Sequence, residues 1–551
     1  MGNPDRRLIG IAVSEGVAFG NAYLYRPQPQ AVTLSGSAGG DAAQRYVQSL
    51  AIAAQQLSAI SGKMTAASDS SAKIFEAQQE ILADEEMDAC VRELIEDEQL
   101  DPAAAVEQVY EQFAAILAKV KDPLIAARAA DIRDVKTRVL RVLCGACVPD
   151  LSALPFGTVL VAHDLLPSDT AQLDPSRIAA IVTELGNQTT HTAILSHSLG
   201  IPAILGVKGA MEAIAQGIPL VVDALAGEII CQPDEAVRRQ LEAKRERFAD
   251  ERRIQQTYLH RDAVTTDGVR IQIGINIGGS ETDFSSCDYC GLFRTEFLYM
   301  EGKELPGEET QFEAYRQVVQ KAKGHPITLR TLDIGGDKTL PYMELPKEDN
   351  PFLGKRAIRL CFAEKELFLT QLRAALRASA YGPLQIMFPM VGSLEDIRKA
   401  KEYLNLAKEQ LKERKQQFDE QIRIGIMIEI PAIALIADLA AEEVDFASIG
   451  SNDLTQYLSA ADRMNPEVAA YYKSDSTPLL RLLGFVFREF SKREKEISVC
   501  GEMAGNPETA QLLVGLGARK LSMSSGNIAG VKAKLAECTL QELTALAEKK
   551  L

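Results

Sequence analysis

The feature that most constrains the fold is a rhythm in the second half of the chain. Eight short apolar runs recur after residue 261, most of them separated by stretches long enough for a helix. They are Val269–Ile277, Gly291–Phe297, Ile327–Ile334, Leu384–Met390, Ile422–Glu429, Phe446–Ser451, Ile497–Cys500 and Lys520–Met523. Runs that are apolar on both faces need cover on both sides, which a parallel sheet with helical crossovers supplies. Eight such units over residues 261–551 predict a (β/α)8 barrel of the TIM type.

The first half reads differently. Ile9 to Tyr25 holds apolar runs broken by Gly10, Gly16 and Gly20, consistent with one or two strands, and a glycine- and serine-rich stretch follows at 35–40. Residues 42–142 are rich in Ala, Leu, Glu, Gln and Lys, a helical block containing Pro102 and Pro123. Strand-like runs resume at Thr158–Ala162, Ile178–Thr183, Ile218–Val222 and Glu228–Cys231. The simplest arrangement is an α/β domain made of 1–36 and 144–233, with a helical insertion at 37–143. Residues 234–260 are charged, with Val237, Leu241 and Phe248 in helical register, and read as an exposed linker helix. The barrel domain occupies 261–551.

A chain of 551 residues exceeds one hydrophobic core, in keeping with several domains. Its formal net charge of -16 disfavours nucleic acid and anionic membrane as bulk partners, while leaving room for a local basic site. Residues 1–7 are polar with no apolar run behind them, so no secretory leader is expected. The most apolar stretch, Ile424 to Ala441, is interrupted by Glu429, Pro431 and Asp438, so no membrane span is expected either. Nine cysteines, an odd number, do not suggest a disulfide framework, and the spacings Cys144/Cys147 and Cys287/Cys290 read as chance in a reduced cytoplasmic protein.

In a barrel of this kind, chemistry gathers where the strands end at their C-terminal side. Those ends carry Arg294, Arg330 with Asp333, Glu429, Asn452 with Asp453, and Cys500 with Glu502, while Arg356 and Arg463 fall in loops on the same side. Guanidinium groups bind phosphate and carboxylate oxygens bidentately. Glu429 and Asp453 offer two hard oxygen ligands of the kind that hold Mg²⁺ beside a phosphate. Lys338 follows Gly335-Gly336-Asp337, a turn that could bring backbone close to an anion. A thiol at Cys500 suits proton donation to a carbanion, and equally suits a small buried residue closing a strand.

A second centre lies at Gly186 to Thr192. A helix is expected from Thr189 or Thr190 to Leu199, stopped by Gly200, which puts His191 in the first turn. Free amides and the helix dipole there stabilise an anion on the imidazole. His191 also shares a face with Ile194 and Leu195, as a core histidine would, and His197 reads as a surface residue.

These segments together resemble enzyme I of the bacterial phosphoenolpyruvate-dependent sugar phosphotransferase system. The resemblance rests on Gly16-Val17-Ala18-Phe19-Gly20, Pro167-Ser168-Asp169-Thr170-Ala171-Gln172-Leu173 and the His191 segment. In the barrel it rests on Arg294-Thr295-Glu296-Phe297, Asp333 to Lys338, Asn350-Pro351-Phe352-Leu353-Gly354, Ile449 to Tyr457 and Cys500 to Gly505. It implies that phosphoenolpyruvate binds the barrel with Mg²⁺ and phosphorylates His191, which hands the group to the carrier protein HPr. By the same resemblance Arg294, Arg330, Arg463, Asn452 and Asp453 hold substrate, Glu429 and Asp453 hold the metal, and Cys500 protonates the enolate. Thr170 would orient His191, the insertion with Phe75, Arg128 and Arg133 would dock HPr, and the barrels would pair as a homodimer.

The chain departs from the family pattern at Asn187, Gln188 and Thr190, where glycine, arginine and serine are usual, and at Gln78, where histidine is common in the docking helix. Lys355 and Phe293 likewise replace a frequent tryptophan and tyrosine. Two alternatives follow: a regulatory paralogue with weak transfer, and a relative of phosphoenolpyruvate synthase or pyruvate-phosphate dikinase. The second lacks support, because no nucleotide-binding glycine loop precedes the histidine.

Overall fold

The computed structural model describes residues 6–26, 40–64, 78–118, 123–144, 151–165, 167–170, 173–186, 190–279, 282–300, 304–335, 340, 342–343 and 348–551. The chain forms two compact units, Met1–Asp250 and Glu251–Leu551.

The first unit is built on an eight-stranded sheet with the order β1-β8-β7-β3-β4-β5-β6-β2. Its strands are β1 (Arg6–Ile9), β2 (Ile11–Ser14), β3 (Val17–Tyr25), β4 (Thr158–Ala162), β5 (Ile178–Thr183), β6 (Ala203–Leu205), β7 (Pro219–Asp223) and β8 (Glu228–Cys231). The glycine-broken run from Ile9 to Tyr25 thus supplies parts of three strands. Strands β3 to β6 run parallel, and β1, β2 and β3 pair antiparallel with β8, β6 and β7 respectively.

Alternation divides the core. Val159 and Val161 face a cluster with Val182, Ile204, Val222 and Ile229, while Leu160 and Ala162 face another with Tyr25, Ile181 and Ala203. Strand β6 went unread because three residues hold too little alternation to detect.

Between β3 and β4 lie helices Gly40–Met64, Glu85–Glu96, Pro102–Ala118 and Pro123–Leu143. They enclose their own core, with Tyr46, Val91, Val106, Val135 and Val139 buried. Helix Glu235–Gln256 is mostly exposed, but its Leu241 is buried against Val17, Val221 and Ile230, so it is more than a solvated spacer.

In the second unit, eight strands close a parallel barrel: β10 (Arg270–Ile277), β11 (Tyr289–Phe293), β12 (Ile327–Arg330), β13 (Leu384–Phe388), β14 (Ile424–Ile428), β15 (Phe446–Ile449), β16 (Glu496–Val499) and β17 (Lys520–Met523). Each pairs with its successor, and β17 returns to β10. A short strand β9 (Ala263–Val264) runs antiparallel to β10. Ile426 and Ile428 pack with the surrounding helices, whereas Met427 joins Leu292, Met387, Phe446 and Cys500 in a separate cluster facing the barrel axis. The run Gly291–Phe297 is divided: β11 stops at Phe293, and Phe297 opens a helical turn. The division has a polar cause, since Thr295 donates its hydroxyl to the Arg330 carbonyl at 3.0 Å and Glu296 turns towards the Arg330 side chain. No helix among the described residues is long and apolar enough to cross a membrane.

Candidate active site

The barrel strands deliver a ring of alternating charges to one rim. Strand β12 ends on Arg330, which is 6% exposed and held between two carboxylates: Glu296 Oε1 at 2.6 Å and Asp333 Oδ2 at 3.1 Å. Asp333 Oδ1 in turn accepts from the buried Arg356, whose Nη2 lies 2.8 Å from it and 3.6 Å from Asp453 Oδ2. Arg356 also donates to the Tyr457 hydroxyl at 3.2 Å, and that hydroxyl donates to the Phe352 carbonyl at 2.7 Å. Asp453 occupies the first turn of helix Ser451–Ser459, which follows β15 directly, and its Oδ1 lies 3.4 Å from Arg463 Nη1.

Glu429 follows β14 and is 1% exposed; its Oε1 accepts from the Met390 amide at 2.6 Å. Burial first, then the charges of Asp453 and Asp333, push its pKa up to about 8, with Arg330 and Arg356 opposing. Gly450 leaves room for it, since a Cβ there would sit 2.7 Å from Glu429 Oε2. This crowding of carboxylates fits a divalent cation, whose charge would return Glu429 to its ionised form. No group of three or more His, Cys, Asp or Glu ligands occurs among the described residues. A cation on Glu429 and Asp453 would therefore take its other oxygens from water and substrate, as Mg²⁺ ordinarily does.

Arg294 stands apart from these pairs. It follows β11, its amide donates to the Ile277 carbonyl at 2.9 Å, and its side chain reaches solvent. Desolvation, then the like charge of Arg330, pull its pKa down, as befits a guanidinium inside a concave mouth. Among the described residues it has no ion-pair partner, and an anionic substrate would supply one.

Asn452 is locked to Glu502: Nδ2 donates to Glu502 Oε1 at 3.1 Å and Oδ1 accepts from the Glu502 amide at 3.0 Å. Cys500 lies at the end of β16 and is 4% exposed, its thiol 3.5 Å from the Ile449 carbonyl. Burial pushes this thiol up to about 11, so it holds its proton at neutral pH. Gly501 is obligatory, because a Cβ would meet Ser451 Oγ at 1.8 Å.

The structure thus gathers Arg294, Arg330, Glu429, Asn452, Asp453, Arg463 and Cys500 around one barrel mouth, with Asp333 and Arg356 among them. Sequence reasoning passed over Glu296, although a carboxylate two residues beyond Arg294 in a charged strand end was the available signal. It also passed over Asn276, whose Nδ2 donates to the Cys500 carbonyl at 3.2 Å; a polar residue inside a strand was the hint there. Gly336, Asp337 and Lys338 lie outside the described residues.

In the first unit, helix His191–Leu199 begins on His191, with Thr190 as extended N-cap (φ -72°, ψ 154°) and Gly200 left-handed at its end (φ 65°). This is the helix expected from the sequence, and His197 is exposed upon it. Thr192 and Ser196 fix the helix through hydroxyl bonds to the carbonyls of Leu165 and Thr192. The short helix Pro167–Thr170 packs against it, with Asp169 and Thr170 buried. Asp169 Oδ1 accepts from Tyr25 at 2.6 Å and pairs with Arg141 of helix Pro123–Leu143 at 3.4 Å, tying the helical block to the sheet.

The docking residues fare variously. Phe75, Asn187 and Gln188 lie outside the described residues, as does the side chain of Arg128. Arg133 is exposed and paired with Glu111 at 2.8 Å. Gln78 is fully buried and donates to Asp134 Oδ2 at 3.0 Å, so the histidine-replacing position faces the helical core and not a docking surface.

Comparison with known proteins agrees with this chemistry. Residues 252–540 match the PEP-utilising enzyme, PEP-binding domain; residues 9–128 match the PEP-utilising enzyme, N-terminal; residues 154–227 match the PEP-utilising enzyme, mobile domain. A phosphoenolpyruvate-protein phosphotransferase of Staphylococcus epidermidis is 40% identical over 548 residues, covering 98% of this chain and 96% of that one. One from Listeria innocua is 40% identical over 555 residues, covering 99% and 96%. Among solved structures, an NMR solution structure of an Enzyme I protein covers 44% of this chain and 99% of its own at 31% identity, with a TM-score of 0.40. The chain belongs to the PEP-utilising enzymes, in the family of the phosphoenolpyruvate-protein phosphotransferases, and it transfers a phosphoryl group from phosphoenolpyruvate to protein.

Proposed function

We propose that phosphoenolpyruvate binds in the barrel mouth and phosphorylates the imidazole of His191, which passes the group to an HPr-like carrier protein. The observation that carries this reading is the charged rim, in which Arg330 and Arg356 are paired with Glu296, Asp333 and Asp453 while Arg294 has no ion-pair partner among the described residues. The position of His191 at the first residue of a helix supports the second half, because amides at a helix start favour an anion.

In this reading Arg294, Arg330 and Arg463 hold the phosphate and carboxylate of the substrate, with Asn452 and Asp453 beside them. Glu429 and Asp453 are the ligands for Mg²⁺, which when bound would draw charge from the phosphoryl oxygens. A ring nitrogen of His191 forms the new P–N bond as the P–O bond of the substrate breaks. The enolate left behind takes the Cys500 thiol proton at its methylene carbon, giving pyruvate and a thiolate. The division into 1–36 with 144–233, 37–143, 234–260 and 261–551 then assigns phosphohistidine, carrier-docking, linker and substrate-binding with homodimer roles, in a cytoplasmic protein.

The test is incubation with phosphoenolpyruvate and Mg²⁺, followed by mass spectrometry for acid-labile phosphate. Label is expected on His191 and absent from His191→Ala. An unlabelled native protein, or equal label in the variant, would overturn the reading.

A further inference from the structure

The thiol of Cys500 has little of its own to aim it. Its side chain lies in an apolar cluster with Leu292, Met387, Met427 and Phe446, and its sulfur is 3.5 Å from the Ile449 carbonyl, a weak bond for a thiol. Where the sulfur sits therefore depends on how the backbone carries it. On the β15 side that backbone is well held. The Cys500 amide donates to the Ile449 carbonyl at 3.0 Å, Gly501 closes onto Ser451, and Asn452 clasps Glu502.

The opposite side is held by a residue from the far end of the domain's sequence. Strands β16 and β17 share their rung at Val499 and Leu521, and Cys500 stands just past it. There Asn276 Nδ2 donates to the Cys500 carbonyl at 3.2 Å and to the Ser522 carbonyl at 3.4 Å. Ile275 and Ile277 pack into the outer core, so alternation places Asn276 on the axis side of β10. Its amide is itself fixed, because Ser522 Oγ, on a fully buried residue, donates to Asn276 Oδ1 at 2.6 Å. A flipped amide would set its oxygen against two carbonyl oxygens, so one orientation alone satisfies all three contacts.

The backbone makes room for this arrangement. Strand β11 carries one extra residue against Ile275 and Asn276, a bulge of the kind that re-aims a side chain beside an active site. The extra residue is Gly291, where a Cβ would lie 2.4 Å from both Cβ and Oγ of Ser522. A larger residue there would push Ser522 off the asparagine.

We propose that Asn276 is a positioning residue for the reaction. Through the Cys500 carbonyl it sets the thiol against one face of the enolate, so that the proton reaches the methylene carbon from one side only. The inference rests on the reading of Cys500 as the acid that protonates the enolate. In that step the S–H bond breaks with its electron pair left on sulfur, and a C–H bond forms at the methylene carbon. Asn276 exchanges no proton itself. Its hold matters because a displacement of about 1 Å in a reacting group costs about a hundredfold in rate.

The experiment reads the handedness of the product. Phosphoenolpyruvate carrying deuterium at one defined methylene position is turned over once by the full chain, with Mg²⁺ in tritiated water, and the pyruvate is trapped as lactate while it forms. The native protein should give a methyl group of one handedness. Asn276→Asp keeps the shape but sets a carboxylate against the two carbonyls, and Ser522→Ala frees the amide to turn. Both should lose most of the handedness, and Asn276→Asp should slow the single turnover by about a hundredfold. Thermal melts show which variants fold, and should Asn276→Asp not fold, Ser522→Ala decides by the same measure. Handedness kept in the folded variants, even at a reduced rate, would overturn the proposal and mark Asn276 as a packing residue. A one-handed methyl group from Cys500→Ala would instead remove the assignment of Cys500 beneath it.

Discussion

Replacing Glu296 by alanine removes one wall of the socket that holds Arg330. The pair is made at 2.6 Å between side chains 4% and 8% exposed, so little water screens it. A Coulomb ceiling of roughly 6 kcal/mol follows at an effective dielectric of about 20. Breaking one partner of a buried pair ordinarily costs about 3–5 kcal/mol, because the other charge is left uncompensated. Asp333 still faces Arg330 at 3.1 Å, which moves the expectation to the lower end, about 3 kcal/mol. A loss of that size lowers the melting temperature by about 5 °C in a unit the length of Glu251–Leu551.

The chain has no tryptophan, so far-ultraviolet circular dichroism is the suitable probe of urea and thermal unfolding. Glu296→Gln keeps a hydrogen bond without the charge and should lie between the native protein and Glu296→Ala. A double-mutant cycle with Arg330→Met isolates the coupling. A loss under about 1 kcal/mol, the value of an exposed surface pair, would refute the claim that this pair is dry and structural.

Three shorter predictions accompany it. Cys500 alkylation by iodoacetamide should climb with pH through about 11, because burial disfavours the thiolate; an inflection near the ordinary thiol pKa of about 8.5 would contradict this. Gly501→Ala forces a Cβ to 3.0 Å from the Ser451 amide as well as onto its hydroxyl, so turnover of phosphoenolpyruvate should collapse and stability should fall by about 1–3 kcal/mol, read by urea titration. Tyr25→Phe removes the 2.6 Å donor to Asp169 while Arg141 remains, for an expected loss of about 1–2 kcal/mol in thermal melts.

The barrel was legible because its strands are covered on both faces, which writes them as continuous apolar runs with a polar residue where each run stops. Arg330, Glu429, Asp453 and Cys500 could be read from those stops alone. What the pattern hid were residues whose meaning depends on a neighbour distant in sequence. Glu296 meets Arg330 thirty-four residues later, and Asn276 meets Cys500 more than two hundred later. The helix at His191 was readable from local signals, its threonines before and Gly200 after. The burial of Gln78 was not, because only the packing of helix Pro123–Leu143 brings Asp134 to it.

The pairing of β1, β2 and β3 with β8, β6 and β7 sets an order of events during synthesis. Residues 6–25 leave the ribosome well before the strands they must join, which end at Cys231. At ordinary elongation rates that is a wait of about 10–40 s, during which unpaired strand edges stand open. The helices between residues 40 and 143 bury a core of their own and can settle as they emerge. They draw in the span that would otherwise separate β3 from β4, which shortens the closure those strands must achieve. A nascent chain stalled before residue 219 should therefore be helical but vulnerable to proteases at its beginning.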